Sequence, residues 1–380
     1  MIFEAFTKML YNTDNTDIQI NCPDIIAWYG MRHFELFYRS LLILSFCACH
    51  KSAPPQETTI SGTTMGTTYQ VKIARELLSA GDLMILRQKI DSVLIEVNRQ
   101  MSAFDPQSEI SRFNARKDTL PFTVSVPLHD VVQMALEVHQ QSRGYFDITV
   151  APLVDLWGFG KKDHRSEPPS GQQVAAELKR VGSAHLITTD STHLRKTVPE
   201  LELDLSAIAK GYGVDVVAGL LDSLQYNNYL VEIGGEIVAR GLNAKVELWK
   251  IAVEQPQFAA LPGEQVLGIL ALSDAAVATS GDYRNYFEYQ GRKYSHTIDP
   301  FTGYPVRHNL ASVTVIAANC TRADALATAV MAMGPEQGLP WIENMSAVEA
   351  LLIVRLPDGK YKEFQTAGFG KYLTAEIKYE

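Results

Sequence analysis

The pattern of apolar and polar residues along the chain switches repeatedly between two periods. Strict alternation of apolar and polar residues predicts strands, and apolar residues three or four positions apart predict helices. The predicted strands and strand pairs are "YQVKIA" (69–74), "AHLITT" (184–189) with "LELDLS" (201–206), "NYLVEIGGEIVARG" around Gly234 and Gly235, "VLGILALSDAAVATSG" (266–281) and "ASVTVIAA" (311–318). The predicted helices are 83–100, 128–142 and 207–224. This interleaving favours an α+β (mixed α/β) fold, as one folded unit or as two subdomains that share a cleft.

A last helix, predicted over "TRADALATAVMAMG" (321–334), is apolar nearly all round, which predicts burial. Asp324 lies near its start and Thr328 follows four positions later. A buried carboxylate is costly unless it caps a helix, pairs with a cation or binds a metal ion. The stretch by itself fits a helix-start acid as well as a functional one.

Composition narrows the class of protein. Of 380 residues, 46% are hydrophobic and 20% charged, which is typical of a folded chain of one large or two smaller domains. The net charge of -9 argues against a nucleic-acid binder, because such proteins neutralise phosphates with clustered Lys and Arg. Of the four cysteines only Cys320 falls within the folded body, so no disulfide is expected there.

The N-terminal region has the pattern of an export signal. From Met31, a segment with Arg32 and Arg39 leads into a short apolar run and then into Ala48 and Cys49. A small residue before Cys resembles a bacterial lipobox, so we expect a lipoprotein anchored to the membrane through Cys49 and facing the periplasm; an ordinary cleaved signal is the alternative. The predicted organisation is an upstream extension (1–30), a lipoprotein signal peptide (31–49), a tether (50–57) and one folded domain (58–380).

The junction "LDLSAIAKGYGVD" is a candidate phosphate site. Asp204 ends an apolar stretch, and Ala207 and Lys210 lead into the next predicted helix. Free N–H groups at a helix start attract anions, and a Lys adds a point charge for a phosphate. A capped helix with a surface Lys explains the same pattern.

"HTIDPFTGYPV" is a candidate proton-transfer site. His296 suits proton transfer near neutral pH, and Asp299 three positions later is able to fix the tautomer of such a ring. Asp-Pro is also a turn signal, so a structural role stays open.

Three further stretches combine glycine, Met and aromatic residues, which suit a flat heterocycle but equally suit core packing. They are "SGTTMGTTYQ" with Met65, "MSAFDPQSEISRFN" with Phe104, and "GYFDITVAPLVDLWGFG" with Phe146 and Asp147. No glycine pattern matches a dinucleotide-binding or Walker loop.

Taken together in order, these segments resemble the ApbE family of FAD:protein FMN transferases. The resemblance runs over roughly residues 58–345 and also includes "EIGGE", "ATSGDYRNYF" and "TRADALATAVMAMG". It implies cleavage of FAD at its pyrophosphate, transfer of FMN to a Thr or Ser hydroxyl of a partner protein, and release of AMP.

The resemblance also implies roles for individual residues. It assigns Mg²⁺ to Asp324 and Thr328, which share a helix face, and to the backbone carbonyl of Ala207. For the transfer step, we predict that His296, supported by Asp299, orients or deprotonates the acceptor hydroxyl; the alternative is that the pair only holds the flavin. The residues that the resemblance places around FAD, in a cleft of the fold, are Met65, Phe104, Phe146, Asp147, Asp204, Lys210, His296 and Ile298.

One departure concerns "EIGGE", where Glu232 and Glu236 replace the Asn and the Asp or Asn that are commoner in the family. The chain carries no acceptor motif of the Asp-Gly-Xaa-Ser/Thr-Gly-Ala-Thr kind, so the expected partner is another exported protein, such as the flavin-carrying subunit of a membrane electron-transfer complex. Two alternatives share the site: a metal-dependent FAD pyrophosphatase and a non-catalytic FAD-binding lipoprotein.

Overall fold

An eight-stranded antiparallel sheet is the centre of the computed structural model, which describes residues 56–74, 77–161, 167–256, 266–283 and 285–375. Its strands are β1 (Glu57–Thr64), β2 (Thr67–Ala74), β6 (Tyr229–Ile233), β7 (Glu236–Arg240), β10 (Ala275–Gly281), β13 (Leu310–Ala317), β14 (Glu349–Arg355) and β15 (Tyr361–Gln365). They lie side by side in the order β1-β2-β6-β7-β10-β13-β14-β15, and every neighbouring pair is antiparallel.

Smaller sheets surround this one. Their strands are β3 (Phe122–Thr123), β4 (Leu186–Asp190), β5 (His193–Lys196), β8 (Trp249–Glu254), β9 (Val266–Leu272), β11 (Tyr286–Tyr289), β12 (Arg292–Ser295) and β16 (Leu373–Ala375). They form two three-stranded sheets, β3-β5-β4 and β16-β9-β8, and the hairpin β11-β12.

The described α-helices are α1 (Ala80–Met101), α2 (Glu109–Ala115), α3 (Val126–Gln141), α4 (Ala151–Leu156), α5 (Gly171–Leu178), α6 (Ala209–Ser223), α7 (Cys320–Met333) and α8 (Pro335–Glu343). Single 3₁₀ turns lie at Ile148–Val150, Ser183–His185 and Phe369–Tyr372. No helix of this part of the chain combines the length and the apolar character that a membrane crossing requires.

Both faces of the central sheet are covered. On one face, α6 packs through Val214 and Val217 against strand residues such as Val231, and α7 packs beside it. On the other face, Trp249 of β8 and Leu270 of β9 pack against the sheet. Full burial of such side chains stabilises the fold by about 1.5–3 kcal/mol each.

Close contact between α6 and α7 depends on a glycine. A Cβ at Gly211 would lie 2.4 Å from the backbone oxygen of Cys320, which a side chain does not tolerate. The start of α7 is fixed by Asn319, whose side chain accepts from the Arg322 amide at 2.9 Å. Any residue larger than glycine at 211 would push the two helix starts apart.

Most predicted elements are present, and one is wrong. The helix predicted over 207–224 is α6, and the hairpin predicted around Gly234 is β6-β7. The strand predicted at 201–206 is absent, because its backbone bonds to other partners: the Leu203 amide donates to Asn114 Oδ1 and the Asp204 amide to the Ile148 carbonyl. β4 pairs with β5 instead.

All described residues fall within one compact unit, Pro55–Glu380. The predicted extension (1–30), signal peptide (31–49) and nearly all of the tether lie outside the described residues, so these boundaries stay predictions. Cys320 is a buried free thiol.

Candidate functional site

One end of the central sheet gathers the polar groups of the predicted site. The turn at Gly234 and Gly235 joins β6 to β7 there, and the Gly234 amide donates to the Thr68 carbonyl of β2 at 3.1 Å. Met65, in the β1-β2 turn, lies against Gly213 of α6, where a Cβ would approach its methyl carbon to 2.7 Å. The turns therefore hold the start of α6 against this end of the sheet.

Asp324 points away from its own helix start. It is 3% exposed, and its Oδ2 accepts from the amide of Gly211 in α6 at 3.1 Å. Asn319 already caps α7, so the interpretation of Asp324 as the cap of its own helix is wrong. Its carboxylate serves the junction between two helices.

The same contact frees the Ala207 carbonyl. In a continuous helix the Gly211 amide would donate to the carbonyl four residues earlier, at Ala207. Here that amide donates to Asp324, although the amides on either side of it keep such bonds, Ala209 to Leu205 and Tyr212 to Ile208. Among the described residues, the Ala207 oxygen is left available to a ligand beside Asp324.

Thr328 lies one turn further along α7 and is half-buried, in contrast to the fully buried residues around it. Its Oγ1 is 3.2 Å from Oγ of Ser280 in β10. Two hydroxyls therefore lie on the same side of α7 as the Asp324 carboxylate, as the spacing of four residues requires.

Lys210 and Glu236 complete the group. Lys210 Nζ donates to Glu236 Oε1 at 2.5 Å, while Glu236 Oε2 is buried without a hydrogen-bond partner. Burial raises the pKa of Glu236, Lys210 opposes this rise and the negative charge of Asp324 adds to it, and together they bring that pKa to about 8. Burial lowers the pKa of Lys210, but Asp324 and Glu236 outweigh it, so the net shift is upward.

The donor set fits Mg²⁺. A carboxylate (Asp324), a free carbonyl (Ala207) and hydroxyls (Thr328, Ser280) are oxygen ligands, which this hard cation prefers, and it usually takes only one or two carboxylates beside phosphate and water. Within the described residues no group of three or more His, Cys, Asp or Glu is arranged to hold a metal ion, so any such site depends on hydroxyl, carbonyl and substrate oxygens.

The contacts of His296 fix its tautomer. Nδ1 is 3.1 Å from the Asn285 carbonyl, and because a carbonyl only accepts, Nδ1 carries the proton and Nε2 keeps its lone pair. Burial lowers the pKa of His296 and so favours the neutral ring. The hydrogen bond to Asn285 raises this pKa, and the positive charge of Lys210 lowers it further, so the net shift is downward. A neutral ring with a free Nε2 is able to accept a proton.

Asp299 does not contact His296. Its Oδ1 accepts from the Phe301 amide at 2.9 Å and its Oδ2 from the Thr302 hydroxyl at 2.8 Å. Both oxygens thus stabilise the turn that follows Pro300, and the Asn285 carbonyl orients the imidazole instead. The predicted support of His296 by Asp299 is corrected accordingly.

Phe104 and Asp204 meet in a shallow cavity that is also lined by Phe159 and Ser206. Phe104 is 68% exposed, and the ring of Phe159 makes an edge contact with His296 at 6.3 Å between centroids. Asp204 Oδ1 accepts from the amide and the hydroxyl of Ser206. An exposed aromatic ring beside a cavity offers a stacking surface for a planar ligand.

Three predicted FAD residues lie in the interior. Phe146 is 2% exposed within the main core, and Ile298 packs against Leu153 and Trp157. The Asp147 carboxylate accepts from Thr149 and Ser183. Their side chains support the walls of the site; the structure does not bring them together with Phe104.

Four residues of the site were missed as site residues. Ser280 and Glu236 lie inside quoted motifs, "ATSGDY" and "EIGGE", so their polarity beside glycine turns was a usable signal. Asn285 acts through its backbone and Phe159 through packing, and neither role leaves a pattern in the sequence.

Comparison with known proteins defines the class. Residues 65–352 match the ApbE family. The chain is similar to the FAD:protein FMN transferase of Vibrio cholerae, with 42% identity over 344 residues, which cover 90% of this chain and all of that protein.

Two solved structures agree. A flavin transferase ApbE from Vibrio cholerae superposes with a TM-score of 0.76 at 42% identity, over 84% of this chain and 99% of that one. The apo form of the flavinyl transferase ApbE of Pseudomonas stutzeri superposes with a TM-score of 0.75 at 36% identity. The match covers 85% of this chain and 98% of that one. The chain belongs to the ApbE family.

Proposed function

We propose that this enzyme transfers FMN from FAD to a Thr or Ser hydroxyl of a partner protein, with Mg²⁺, and releases AMP. The observation that carries the proposal is the buried Asp324, held at the sheet end beside the Ala207 carbonyl and Lys210. A carboxylate and an ammonium side by side suit a metal-bound pyrophosphate, because the metal ion needs an anionic ligand and the phosphates need cations. The relatives named FAD:protein FMN transferase support the substrate.

The site divides the chemistry among its residues. When bound, Mg²⁺ would neutralise pyrophosphate oxygens as a Lewis acid, held by Asp324, Thr328 and the Ala207 carbonyl. Lys210 adds positive charge at the phosphates, and Phe104 offers its ring to the isoalloxazine.

His296 is proposed as the general base. Nε2 takes the proton of the acceptor hydroxyl as its oxygen bonds to the FMN phosphorus, while the bond from that phosphorus to the bridging oxygen breaks and AMP leaves. The Asn285 carbonyl holds the ring in the tautomer that this step needs. A role of His296 in flavin binding alone is the alternative.

The N-terminal pattern supports a location for this reaction. We propose an exported lipoprotein, anchored through Cys49 and facing the periplasm. Its acceptor would be the flavin-carrying subunit of a membrane electron-transfer complex, because a tethered enzyme meets other proteins at the same membrane surface.

The proposal is tested by incubating the purified protein with FAD, Mg²⁺ and a flavin-carrying subunit that bears the acceptor motif, followed by intact mass measurement of the subunit. Transfer is supported if the mass of the wild-type subunit increases by that of one FMN less one water, and if a subunit whose target Thr is Ala shows no increase. FMN and AMP without acceptor would indicate a pyrophosphatase instead. If the protein instead retains one intact FAD per chain and forms no product, it is a binding protein.

A further inference from the structure

A second cavity, of about 700 Å³, lies on the sheet face opposite α6 and α7. Its floor is the central sheet, which contributes both polar and apolar side chains. The polar ones are Gln70, Lys72, Glu232, Thr279 and the buried Thr314, and the apolar ones are Leu230, Ile237 and Val277. The volume is within the range of ligand-binding cavities, and a mixed lining of this kind is typical of them.

One wall of this cavity is the edge of β8. All six residues of β8, Trp249–Glu254, line it, although successive side chains of a strand point to opposite faces. A cavity that meets both sets of side chains lies against the strand's edge rather than against one face. Among the described strands, β8 pairs only with β9, so on this edge Trp249–Val253 have backbone groups available for another strand.

The cavity opens toward the proposed transfer site. Gly234, Gly235 and Gly281 line its end at the sheet end described above, and a Cβ at Gly235 would meet open space. Lys210 lies on the far side of the same turn, with its Cδ 3.5 Å from where a Cβ of Gly234 would be. In β10, Thr279 faces this cavity while the next residue, Ser280, bonds to Thr328.

We infer that the acceptor protein docks here, with its hydroxyl-bearing segment extended along β8 as an added strand and the Thr or Ser at the glycine end. This inference rests on the proposed function. Six residues of β8 provide roughly 20 Å of edge, enough for a segment of similar length, and backbone pairing tolerates different side chains. The polar floor residues Thr279 and Glu232 lie near the glycine end, where the acceptor hydroxyl would be placed.

The first test fills the cavity. In Thr279→Trp the large ring occupies the space above the floor, and we expect kcat/KM for a flavin-carrying subunit bearing the acceptor motif to fall at least about tenfold, through KM, with FAD affinity unchanged. Thr189→Trp is the matched control, since Thr189 is an exposed strand residue of β4 that also gives one hydroxyl hydrogen bond. Wild-type KM in a folded Thr279→Trp protein would overturn the inference.

The second test uses the unaltered chain and so does not depend on how the variant folds. Hydrogen exchange is measured with FAD, Mg²⁺ and a subunit whose target Thr is Ala. We expect those amides of Trp249–Val253 that point away from β9 to slow at least about tenfold, because added-strand bonds protect them, while the amides already bonded to β9 change less. Unchanged exchange along β8, with wild-type transfer to the unmodified subunit, refutes docking but not the proposed function. Absence of transfer with β8 protected refutes the function but not the docking.

Discussion

Two lysines, the buried Lys196 and the half-buried Lys210, define two regions that use charge differently. Lys196, 2% exposed, donates only to backbone carbonyls, those of Asn114 at 3.3 Å and Arg116 at 3.0 Å. Burial, with the positive charge of Lys117 beside it, lowers the pKa of Lys196 to about 8, because the opposing charges of Glu202 and Asp118 are too weak to compensate. Lys210 lies beside Asp324 and Glu236, which together shift its pKa upward in spite of burial.

The two regions also differ in how completely their buried acids are hydrogen-bonded. Near the core, Asp147 uses both oxygens in bonds from Thr149 and Ser183. At the sheet end, Glu236 keeps one oxygen without a partner. A buried carboxylate whose hydrogen bonds are complete stabilises the fold, whereas one with spare capacity marks a place where a ligand completes the set.

The largest effect should come from Asp324→Asn. The amide oxygen still accepts from Gly211, but the charge that would hold the metal ion is lost. We therefore expect the rate of transfer to fall roughly 10³-fold, which corresponds to a barrier higher by about 4 kcal/mol. The rate is measured against Mg²⁺ concentration by AMP release with acceptor present.

A control for that variant is Asp222→Asn, which removes an exposed carboxylate at the other end of α6 and should keep the wild-type rate. If Asp324→Asn kept a near wild-type rate at saturating Mg²⁺, Asp324 would not be an acid that binds a ligand, and the contrast with acids that only stabilise the fold would be wrong.

His296→Ala should lower transfer by roughly 10²–10³-fold while FAD still binds, because only proton removal is lost. The base works when neutral, and its lowered pKa keeps it neutral above about its ordinary 6.5. The wild-type rate should therefore be flat above pH 6.5 and decline only in more acidic solution, and this acid limb should vanish in the variant.

Asp299→Asn is the comparison for His296, since its carboxylate belongs to the turn. It should leave the pH profile in place. Loss of FAD binding alone in His296→Ala would show that the histidine holds the flavin and is not the base.

Asp147→Asn should lower the free energy of unfolding by about 1–3 kcal/mol, because an amide nitrogen replaces an acceptor that faces donors of Ser183. Urea unfolding measures the loss, and kcat per folded molecule should stay within about twofold. Asp190→Asn removes an exposed aspartate whose contacts are to Thr192 and His193, and it should lower stability much less. Equal losses in both would show that burial is not the cause.

Lys196→Met should change only how stability depends on pH. The folded pKa is near 8 and the ordinary value 10.5, so below pH 8 the charged side chain carries the whole burial cost, and the wild type recovers stability as pH rises from 8 to 10.5. We expect the variant to lose this rise, an effect of about 1–3 kcal/mol between pH 7 and 9.5, measured by urea unfolding. An identical pH dependence in both proteins would mean that Lys196 is effectively solvated.

Local patterns predicted much of this fold because helix and strand periodicity reports which side of an element is buried. The α6 and α7 helices and the β6-β7 hairpin followed from such patterns. The 201–206 segment did not, since alternating Leu residues predict burial but not which backbone groups will pair; Asn114 and Ile148 supply the partners there. Strand pairing across long separations depends on the whole sheet.

The sequence by itself determined the family, the mixed α+β class and the helix that carries Asp324 and Thr328, because residue type and spacing are local properties. Only the tertiary structure decided which acids have spare oxygens: it assigned the cap of α7 to Asn319, turned Asp324 toward Gly211, and gave the orientation of His296 to the Asn285 carbonyl instead of Asp299. The reason is physical, since hydrogen-bond capacity is shared among groups that are far apart in the chain and meet only when the sheet and helices pack.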